Sequence, residues 1–256
     1  MHLTVAERSA ETEYEKKLKS KALVRWLHSF RYKHLRSIVA ELAADASDRP
    51  LRIVEVGCAH GALFDALDPL FDIDYTGIDP TPEFARAARE RHEGSSNFRV
   101  IADGAENVLG GLKRPDLVVA LETLEHVPTR AAVRIVEAVA DLGPDLFVCS
   151  VPVEVGPIIW IKNLGSLLIR YNRSGRFNRD VLRRTFWAGL YQMNRVPVHR
   201  HGHTGFDWRW VGQTIRHEMR IREIRTLPFR FLPAGLSTNV MFLAEPRRDG
   251  RGGTGG

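Results

Sequence analysis

The chain has 256 residues, 44% of them hydrophobic and 27% charged, and its formal net charge is +6 at pH 7. This composition is typical of one large folded domain, or of one domain with an appended lid, and excludes collagen-like, disordered and disulfide-scaffold classes. No apolar run approaches the roughly 18 residues of a membrane-spanning helix, and charged residues crowd the beginning, where a signal peptide needs apolar ones. With only Cys58 and Cys149 as thiols, we expect a cytoplasmic protein without stable membrane insertion.

Apolar runs and helical patterns alternate along most of the chain. A long helical pattern covers 11–45, and the predicted strands that follow are 51–56, 73–78, 98–101, 116–121 and 146–150. Helical patterns separate these strands, through Leu63 and Leu67, over 83–91 and over 130–142. This rhythm predicts an α/β fold, in which an open, doubly wound, Rossmann-like parallel sheet carries helices on both faces.

The alternation stops after Pro152. Residues 157–194 contain no clear strand pattern and include an apolar stretch at 158–169, so we predict an inserted helical lid. A helix at 208–219 and two strands at 221–227 and 238–244 follow, and the two strands could pair as a hairpin at the sheet edge. The predicted organisation is an N-terminal helical extension (1–48), a core (49–152), a lid and acceptor region (153–206), a C-terminal helix and strand pair (207–246) and a disordered tail (247–256).

A glycine-bearing turn joins the first predicted strand to the next helix. Its sequence at residues 55–61 is Glu-Val-Gly-Cys-Ala-His-Gly, and glycine there permits a tight turn and close approach of a ligand. The strict dinucleotide pattern G-x-G-x-x-G is absent, so there is less reason to expect a pyrophosphate bound at the start of the helix that follows the turn. The segment resembles the first motif of the class I S-adenosylmethionine-dependent methyltransferases, acidic-x-Gly-x-Gly-x-Gly. Ala59 replaces the middle glycine and should leave slightly less room beside the cofactor.

Acidic residues follow the next two predicted strands. Asp79 comes about twenty residues after the glycine turn, where a carboxylate can accept hydrogen bonds from both ribose hydroxyls of an adenosine. Alternatively, Asp79 caps the helix that starts near Pro82. After the third strand come Asp103 and Gly104, and the family has at this place an acidic residue that hydrogen-bonds the adenine amine.

The resemblance is to methyltransferases of the type 11/12-like group. It covers about residues 50–150, and the order of the predicted elements extends it to the C-terminal strand pair. It implies a seven-stranded, mostly parallel sheet with one antiparallel edge strand, and S-adenosylmethionine bound to the core. The residues that it assigns to cofactor binding are Glu55, Gly57, Cys58, Ala59, His60, Gly61, Asp79, Asp103 and Gly104.

An E-x-x-E-H segment follows the fourth predicted strand. On one helical turn, Glu122, Glu125 and His126 could converge on one point and hold a divalent ion such as Mg²⁺. The segment is similar to that of the ubiquinone-biosynthesis O-methyltransferases and of the small-RNA terminal 2′-O-methyltransferases. In the RNA branch a distant histidine completes the metal site, and His203 is its nearest counterpart here, although two further residues separate it from Phe206-Asp207-Trp208. Alternatively, Glu125 and His126 shape the pocket without a metal.

Without a metal, a general base has to take the proton from an acceptor hydroxyl. Only an imidazole titrates near neutral pH without large perturbation. The candidate catalytic residues are therefore His126 and His203.

Positive charge is concentrated in the second part of the chain. Residues 151–256 hold 18 Lys and Arg against seven Asp and Glu, and six Arg with one Asp lie between 170 and 184, beside Tyr171 and Phe177. Such a segment suits a phosphate-bearing acceptor such as RNA, a nucleotide sugar or a lipid headgroup, although it could equally be a solvated helix face. The apolar stretch 158–169 would roof the acceptor pocket or, alternatively, rest on a membrane surface.

Three hypotheses about function follow. The first is a methyltransferase that acts at oxygen on a small-molecule or sugar-like acceptor, anionic or neutral. The second is a metal-dependent RNA ribose 2′-O-methyltransferase. The third is a non-catalytic, cofactor-binding subunit. The sequence predicts no oligomeric state and no particular acceptor, because fold and cofactor site do not determine the substrate.

Overall fold

The computed structural model describes residues 22–45, 48–168, 185–186 and 206–247. The strands are β1 (Leu51–Val56), β2 (Ile73–Ile78), β3 (Phe98–Ile101), β4 (Leu117–Leu121), β5 (Leu146–Pro152), β6 (Met219–Leu227) and β7 (Asn239–Pro246). They form one seven-stranded sheet in the order β3-β2-β1-β4-β5-β7-β6. The strands β1 to β5 pair in parallel, and β7 runs antiparallel to both β5 and β6. The predicted mostly parallel sheet and its C-terminal hairpin are confirmed. The prediction of an antiparallel edge strand was wrong, because the antiparallel strand is β7, which lies between β5 and the edge strand β6.

Helices connect and cover these strands. They are α1 (Ala22–Asp45), α2 (Ala62–Leu67), α3 (Pro82–Arg91), α4 (Ala105–Val108), α5 (Thr129–Leu142), α6 (Ile158–Leu168) and α7 (Trp208–Glu218). Local sequence sets several of their ends. The α5 helix stops at Gly143, which adopts φ 67°, and α7 begins at Asp207, whose side chain accepts a hydrogen bond from Arg209 N.

The core has one apolar layer on each face of the sheet. On one face, α5 and α7 pack against β-strand residues such as Val54 and Val118. On the other face, α1 and α2 pack against residues such as Ile53 and Val119. Neighbouring residues of one strand therefore enter opposite layers, which explains why the parallel strands have nearly continuous apolar sequences.

The short helix α4 was not predicted, and the other differences from the predicted elements occur at element ends. The fourth strand begins one residue late because the buried Asp116 carboxylate accepts hydrogen bonds from the Arg49 guanidinium and from Arg52 N. The predicted helix over 11–45 is present as α1, and its first part lies outside the described residues. Likewise, α6 is the described part of the predicted lid, most of which is not described. No helix among the described residues is long and apolar enough to cross a membrane.

Candidate active site

The glycine turn lies at the carboxyl edge of the sheet, between β1 and α2. Gly57, Ala59 and Gly61 have φ values of 75°, 44° and 73°, so alternate residues of the turn are left-handed. Both Gly57 N and Cys58 N donate hydrogen bonds to Ile78 O, at 2.8 and 3.1 Å. The turn is thereby fastened to the end of β2, where the predicted ribose-binding carboxylate follows.

Ala59 occupies a backbone conformation that normally suits glycine. A left-handed φ costs a residue with a Cβ atom roughly 1–2 kcal/mol. The amide of Ala59 donates a hydrogen bond of 2.9 Å to Asp79 Oδ2, and a hydrogen bond to a charged group offsets a cost of that size. The alanine substitution is therefore accommodated in the turn by the neighbouring carboxylate.

The carboxylate of Asp79 links the glycine turn to the start of α3. Besides accepting from Ala59, it accepts a 2.9 Å hydrogen bond from Thr81 N through Oδ1. The N-cap residue of α3 is Thr81, so Asp79 does not cap the helix itself, as the alternative prediction stated, but accepts a hydrogen bond from the backbone of the residue that does. Each carboxylate oxygen can accept about two hydrogen bonds, and one on each is used by the backbone. The chemistry of Asp79 therefore fits the two hydroxyls of a ribose as well.

The acidic residue that opens the turn motif is buried. Glu55 is buried against Tyr75, whose phenol donates a hydrogen bond to Glu55 Oε2. Burial raises the pKa of Glu55 to about 7, although the Tyr75 hydrogen bond and the charge of Arg31 oppose the shift. The Glu55 carboxyl group is therefore easier to protonate than that of an exposed glutamate.

Replacing Glu55 with glutamine is expected to change how stability depends on pH. Because the folded pKa is above the ordinary value of 4.5, folded wild type binds the extra proton, and its stability falls as pH rises from about 4.5 through about 7. The change is about 3 kcal/mol for a shift of this size. The difference in unfolding free energy between E55Q and wild type should move by this amount in favour of the variant between pH 4.5 and pH 8, measured by urea denaturation. A constant difference would contradict the assignment.

The remaining residues of the turn, Cys58 and His60, pack against neighbouring residues. Cys58 is buried against Gly77, where an added Cβ would lie 2.6 Å from Cys58 Sγ. Burial raises the pKa of the Cys58 thiol well above its ordinary value, which leaves it protonated. His60 packs edge-on against Phe84 with ring centroids 4.9 Å apart. These two rings border the turn next to the start of α3.

The predicted adenine-binding residues lie at the end of β3. The exposed Asp103 accepts hydrogen bonds from Asn107 Nδ2 and Gly104 N at 2.9 and 2.6 Å. Those two bonds lower the pKa of Asp103. Asp103 is thus an ionised acceptor that precedes α4 at the same edge as Asp79, and its cofactor role stays a prediction.

Glu122, Glu125 and His126 do not lie on a helical turn, and that premise of the metal hypothesis was wrong. Glu122 has φ 54°, and His126 N donates to Thr123 O at 2.9 Å in a turn before α5. The positive φ redirects the chain as it leaves β4, so the helical i, i+3, i+4 spacing does not apply.

The Glu122 side chain instead connects three strands. Its Oε1 accepts a 3.0 Å hydrogen bond from Ser150 Oγ on β5, and its Oε2 accepts a 2.7 Å bond from Asn239 Nδ2 on β7. Sequence reasoning missed Ser150 and Asn239, because no local pattern relates residues that are 28 and 117 positions away. The strained Glu122 backbone is therefore held by contacts from distant parts of the chain.

The other two members of the segment have different surroundings. Glu125 is buried, and burial, reinforced by the charge of Glu122, raises its pKa well above the ordinary value. His126 is exposed. The Glu122 carboxylate already accepts hydrogen bonds from Ser150 and Asn239, and the described part of the chain contains no group of three or more potential metal ligands. His203 lies outside the described residues, so the four-residue metal site stays a prediction.

Comparison with known families agrees with this arrangement. A family model described as a methyltransferase domain matches residues 27–219, which is more than half of the chain. The chain belongs to the class I S-adenosylmethionine-dependent methyltransferases. The predicted family and fold are therefore confirmed. The matched region includes the glycine turn, Asp79 and the segment after β4, all at one edge of the sheet.

Individual relatives of this methyltransferase are distant or matched only in part. Rv1506c of Mycobacterium tuberculosis (strain ATCC 25618 / H37Rv), named as a methyltransferase, is 53% identical over 49 residues, which are 19% of this chain and 30% of that protein. The chain thus matches less than a third of that curated relative.

Solved structures share the fold at low identity. An S-adenosylmethionine-dependent methyltransferase from Clostridium acetobutylicum ATCC 824 has a TM-score of 0.58 and 11% identity, covering 94% of this chain and 99% of its own. The small RNA methyltransferase HEN1 has a TM-score of 0.55 and 18% identity, covering 87% of this chain and 26% of its own.

Proposed function

We propose that this methyltransferase moves a methyl group from S-adenosylmethionine to the oxygen of a small-molecule or sugar-like acceptor. The observation that carries the proposal is Asp79, a buried carboxylate at the end of β2 that reaches the strained turn and keeps acceptor capacity on both oxygens. Family membership supports the cofactor. The buried, unpaired thiols Cys58 and Cys149 suit the predicted cytoplasmic location.

The bound cofactor supplies an electrophilic methyl group. Transfer is an in-line displacement, so the protein mainly has to hold the two reactants in alignment and exclude water. In this proposal Asp79 binds the ribose, and the turn at residues 57–61 approaches the rest of the cofactor. Glu122 keeps the ends of β4, β5 and β7 in place beside it.

His126 is the proposed general base. Its exposed imidazole follows β4 at the carboxyl edge, where an acceptor would meet the cofactor, and can take the proton from an acceptor hydroxyl. A free hydroxyl is a weak nucleophile, so removal of this proton makes methylation at oxygen possible at neutral pH.

Replacing His126 with alanine should lower the rate of methyl transfer by about a hundredfold or more, which is the usual contribution of a general base. The assay follows label from methyl-tritiated cofactor into a whole-cell extract, which contains both small molecules and RNA. Binding of S-adenosylhomocysteine, measured by calorimetry, should not change. The matched control is His217→Ala, because His217 is an exposed histidine at the end of α7, on the opposite edge of the sheet. An unchanged rate in H126A would show that His126 is not the general base.

The RNA hypothesis predicts a different result in the same assay. It is supported by the similarity of the E-x-x-E-H segment and by the arginine-rich sequence after α6. If RNA is the acceptor, ribonuclease treatment and EDTA should each abolish incorporation of label. If the acceptor is a small molecule methylated without metal, neither treatment should matter. Cofactor binding without any incorporation would instead support the non-catalytic subunit.

A further inference from the structure

Four aromatic rings form a cluster on the face of the sheet that α1 and α2 cover. The members are Phe64 of α2, Tyr75 of β2, Phe98 of β3 and His92, which follows the last residue of α3. Five pairs of these rings have centroids between 4.4 and 5.5 Å apart. Rings at such separations stabilise one another, so the members of this aromatic cluster hold each other in place.

The aromatic cluster contacts both ends of the turn motif. At the first residue of the motif, the Tyr75 phenol donates a hydrogen bond to Glu55 Oε2. At its last residue, a Cβ atom added to Gly61 would lie 2.8 Å from His92 Nε2 and 3.2 Å from Phe98 Cε2. Real Cβ atoms do not approach a neighbour as closely as 2.8 Å. The Gly61 backbone therefore lies directly against the His92 ring.

Gly61 is the point at which the turn becomes a helix. It is the N-cap residue of α2, with φ 73°, and its amide donates a 2.8 Å hydrogen bond to Cys58 O. The first part of the turn is held differently, because the amides of residues 57–59 donate to the end of β2 and to Asp79. The contact with His92 supports the other end of the turn.

The contact between His92 and Gly61 is steric. His92 is 8% exposed, and its Nε2 atom makes no hydrogen bond to any described residue. The nearby carboxylate of Asp65 in α2 has its Oδ1 atom 3.7 Å from Nε2, which is beyond hydrogen-bond distance. The shape of the ring, and not a hydrogen bond from Nε2, therefore acts on Gly61.

We propose that His92 is a positioning residue for the cofactor, because its ring keeps Gly61 and the end of the glycine turn in the conformation that binds S-adenosylmethionine. The α3 helix then connects two parts of the cofactor site. Its start is bonded to Asp79 through Thr81 N. Its end contacts Gly61 through the His92 ring. This role rests on the proposed function, since it requires that the turn binds the cofactor.

Replacing His92 with alanine should weaken binding of S-adenosylhomocysteine by about tenfold. The substitution leaves a cavity against Gly61, so the turn occupies its binding conformation for a smaller fraction of the time, and the apparent dissociation constant rises by the inverse of that fraction. Calorimetry well below the melting temperature measures the affinity of the folded variant. His92→Phe keeps a flat ring beside Phe64 and Phe98 and should bind within about threefold of wild type.

The matched control is Leu67→Ala. Leu67 is fully buried in the same apolar layer and is the last residue of α2, at the other end of that helix from Gly61. Its replacement should also leave a cavity and lower the midpoint of urea denaturation. Folded L67A should nevertheless bind S-adenosylhomocysteine like wild type. A purely structural role of His92 would give H92A and L67A the same pattern.

A second comparison tests the contact itself. Gly61→Ala should lower the urea midpoint of wild type by more than that of H92A, because the added Cβ meets the imidazole only where His92 is present. If H92A does not fold, His92→Asn, which shortens the side chain but keeps it polar, takes its place in both comparisons.

Three results would overturn the proposal: wild-type affinity in H92A, equal losses of affinity in H92A and L67A, or binding by H92F as weak as that by H92A. Failure of the wild-type protein to bind S-adenosylhomocysteine would refute the proposed function instead.

Discussion

Replacing Asp79 with alanine should weaken binding of S-adenosylhomocysteine by about a hundredfold or more. Each hydrogen bond from a ribose hydroxyl to a carboxylate contributes roughly 1.5–3 kcal/mol, and the variant loses the acceptors for two of them. The same substitution leaves Ala59 N and Thr81 N without their acceptor. We therefore also expect a loss of roughly 1–3 kcal/mol in the free energy of unfolding.

Two measurements separate these effects. Calorimetry well below the melting temperature reports the affinity of the folded variant, and urea denaturation reports its stability. Asp74→Ala is the matched control, because it removes a carboxylate from β2, the strand that Asp79 follows, where Asp74 pairs with the exposed Arg99. Asp79→Asn keeps one acceptor oxygen and should bind with intermediate affinity. Wild-type affinity in D79A would exclude Asp79 from the cofactor site.

Replacing Gly57 with alanine should destabilise the protein by about 3 kcal/mol, the sum of two separate costs. The backbone at Gly57 has φ 75°, which is unfavourable for a residue with a Cβ atom. An added Cβ would also lie 2.5 Å from Thr123 Cγ2 and Oγ1. Thr123 cannot move without cost, because its hydroxyl donates to Val56 O at 3.0 Å and thereby holds the segment after β4 against the end of β1.

Two comparisons separate the backbone cost of Gly57→Ala from its steric cost. Gly94 has φ 91° with nothing within 4 Å of an added Cβ, so Gly94→Ala measures the backbone cost without the steric one. In a double-mutant cycle, Thr123→Ala should relieve part of the steric cost in G57A, and the two substitutions should couple by about 1 kcal/mol or more. Equal stabilities of G57A and G94A, measured by urea denaturation, would show that the contact with Thr123 does not matter.

Most of the sheet could be predicted from local sequence. The strands β1, β2 and β3 have the predicted bounds because each is a short, mostly apolar run between turn residues. The glycine turn and Asp79 could also be predicted, since they depend on a contiguous motif and on a residue that directly follows a strand.

The interpretation of the segment after β4 failed for a physical reason. Residues three or four apart in sequence lie on the same face only where the backbone is a regular helix. Glu122 has a left-handed φ, so the backbone is not helical there. The direction of the chain there depends on Thr123, which bonds to Val56 O, and on the partners of the Glu122 carboxylate. None of those contacts is visible in the local sequence.

The local sequence thus determined the order of strands and helices, the tight turn after β1 and the places at which acidic residues follow the strands. Tertiary structure decided which atoms meet: Glu122 with Asn239, the α1 helix with the sheet, and the loop between β6 and β7 with α6 through Lys162. Apolar content alone could not distinguish the buried face of α6 from its exposed face, which carries Trp160, Ile161 and Leu164. Which side of a helix meets water depends on the surfaces packed against it, and those come from residues far away in the chain.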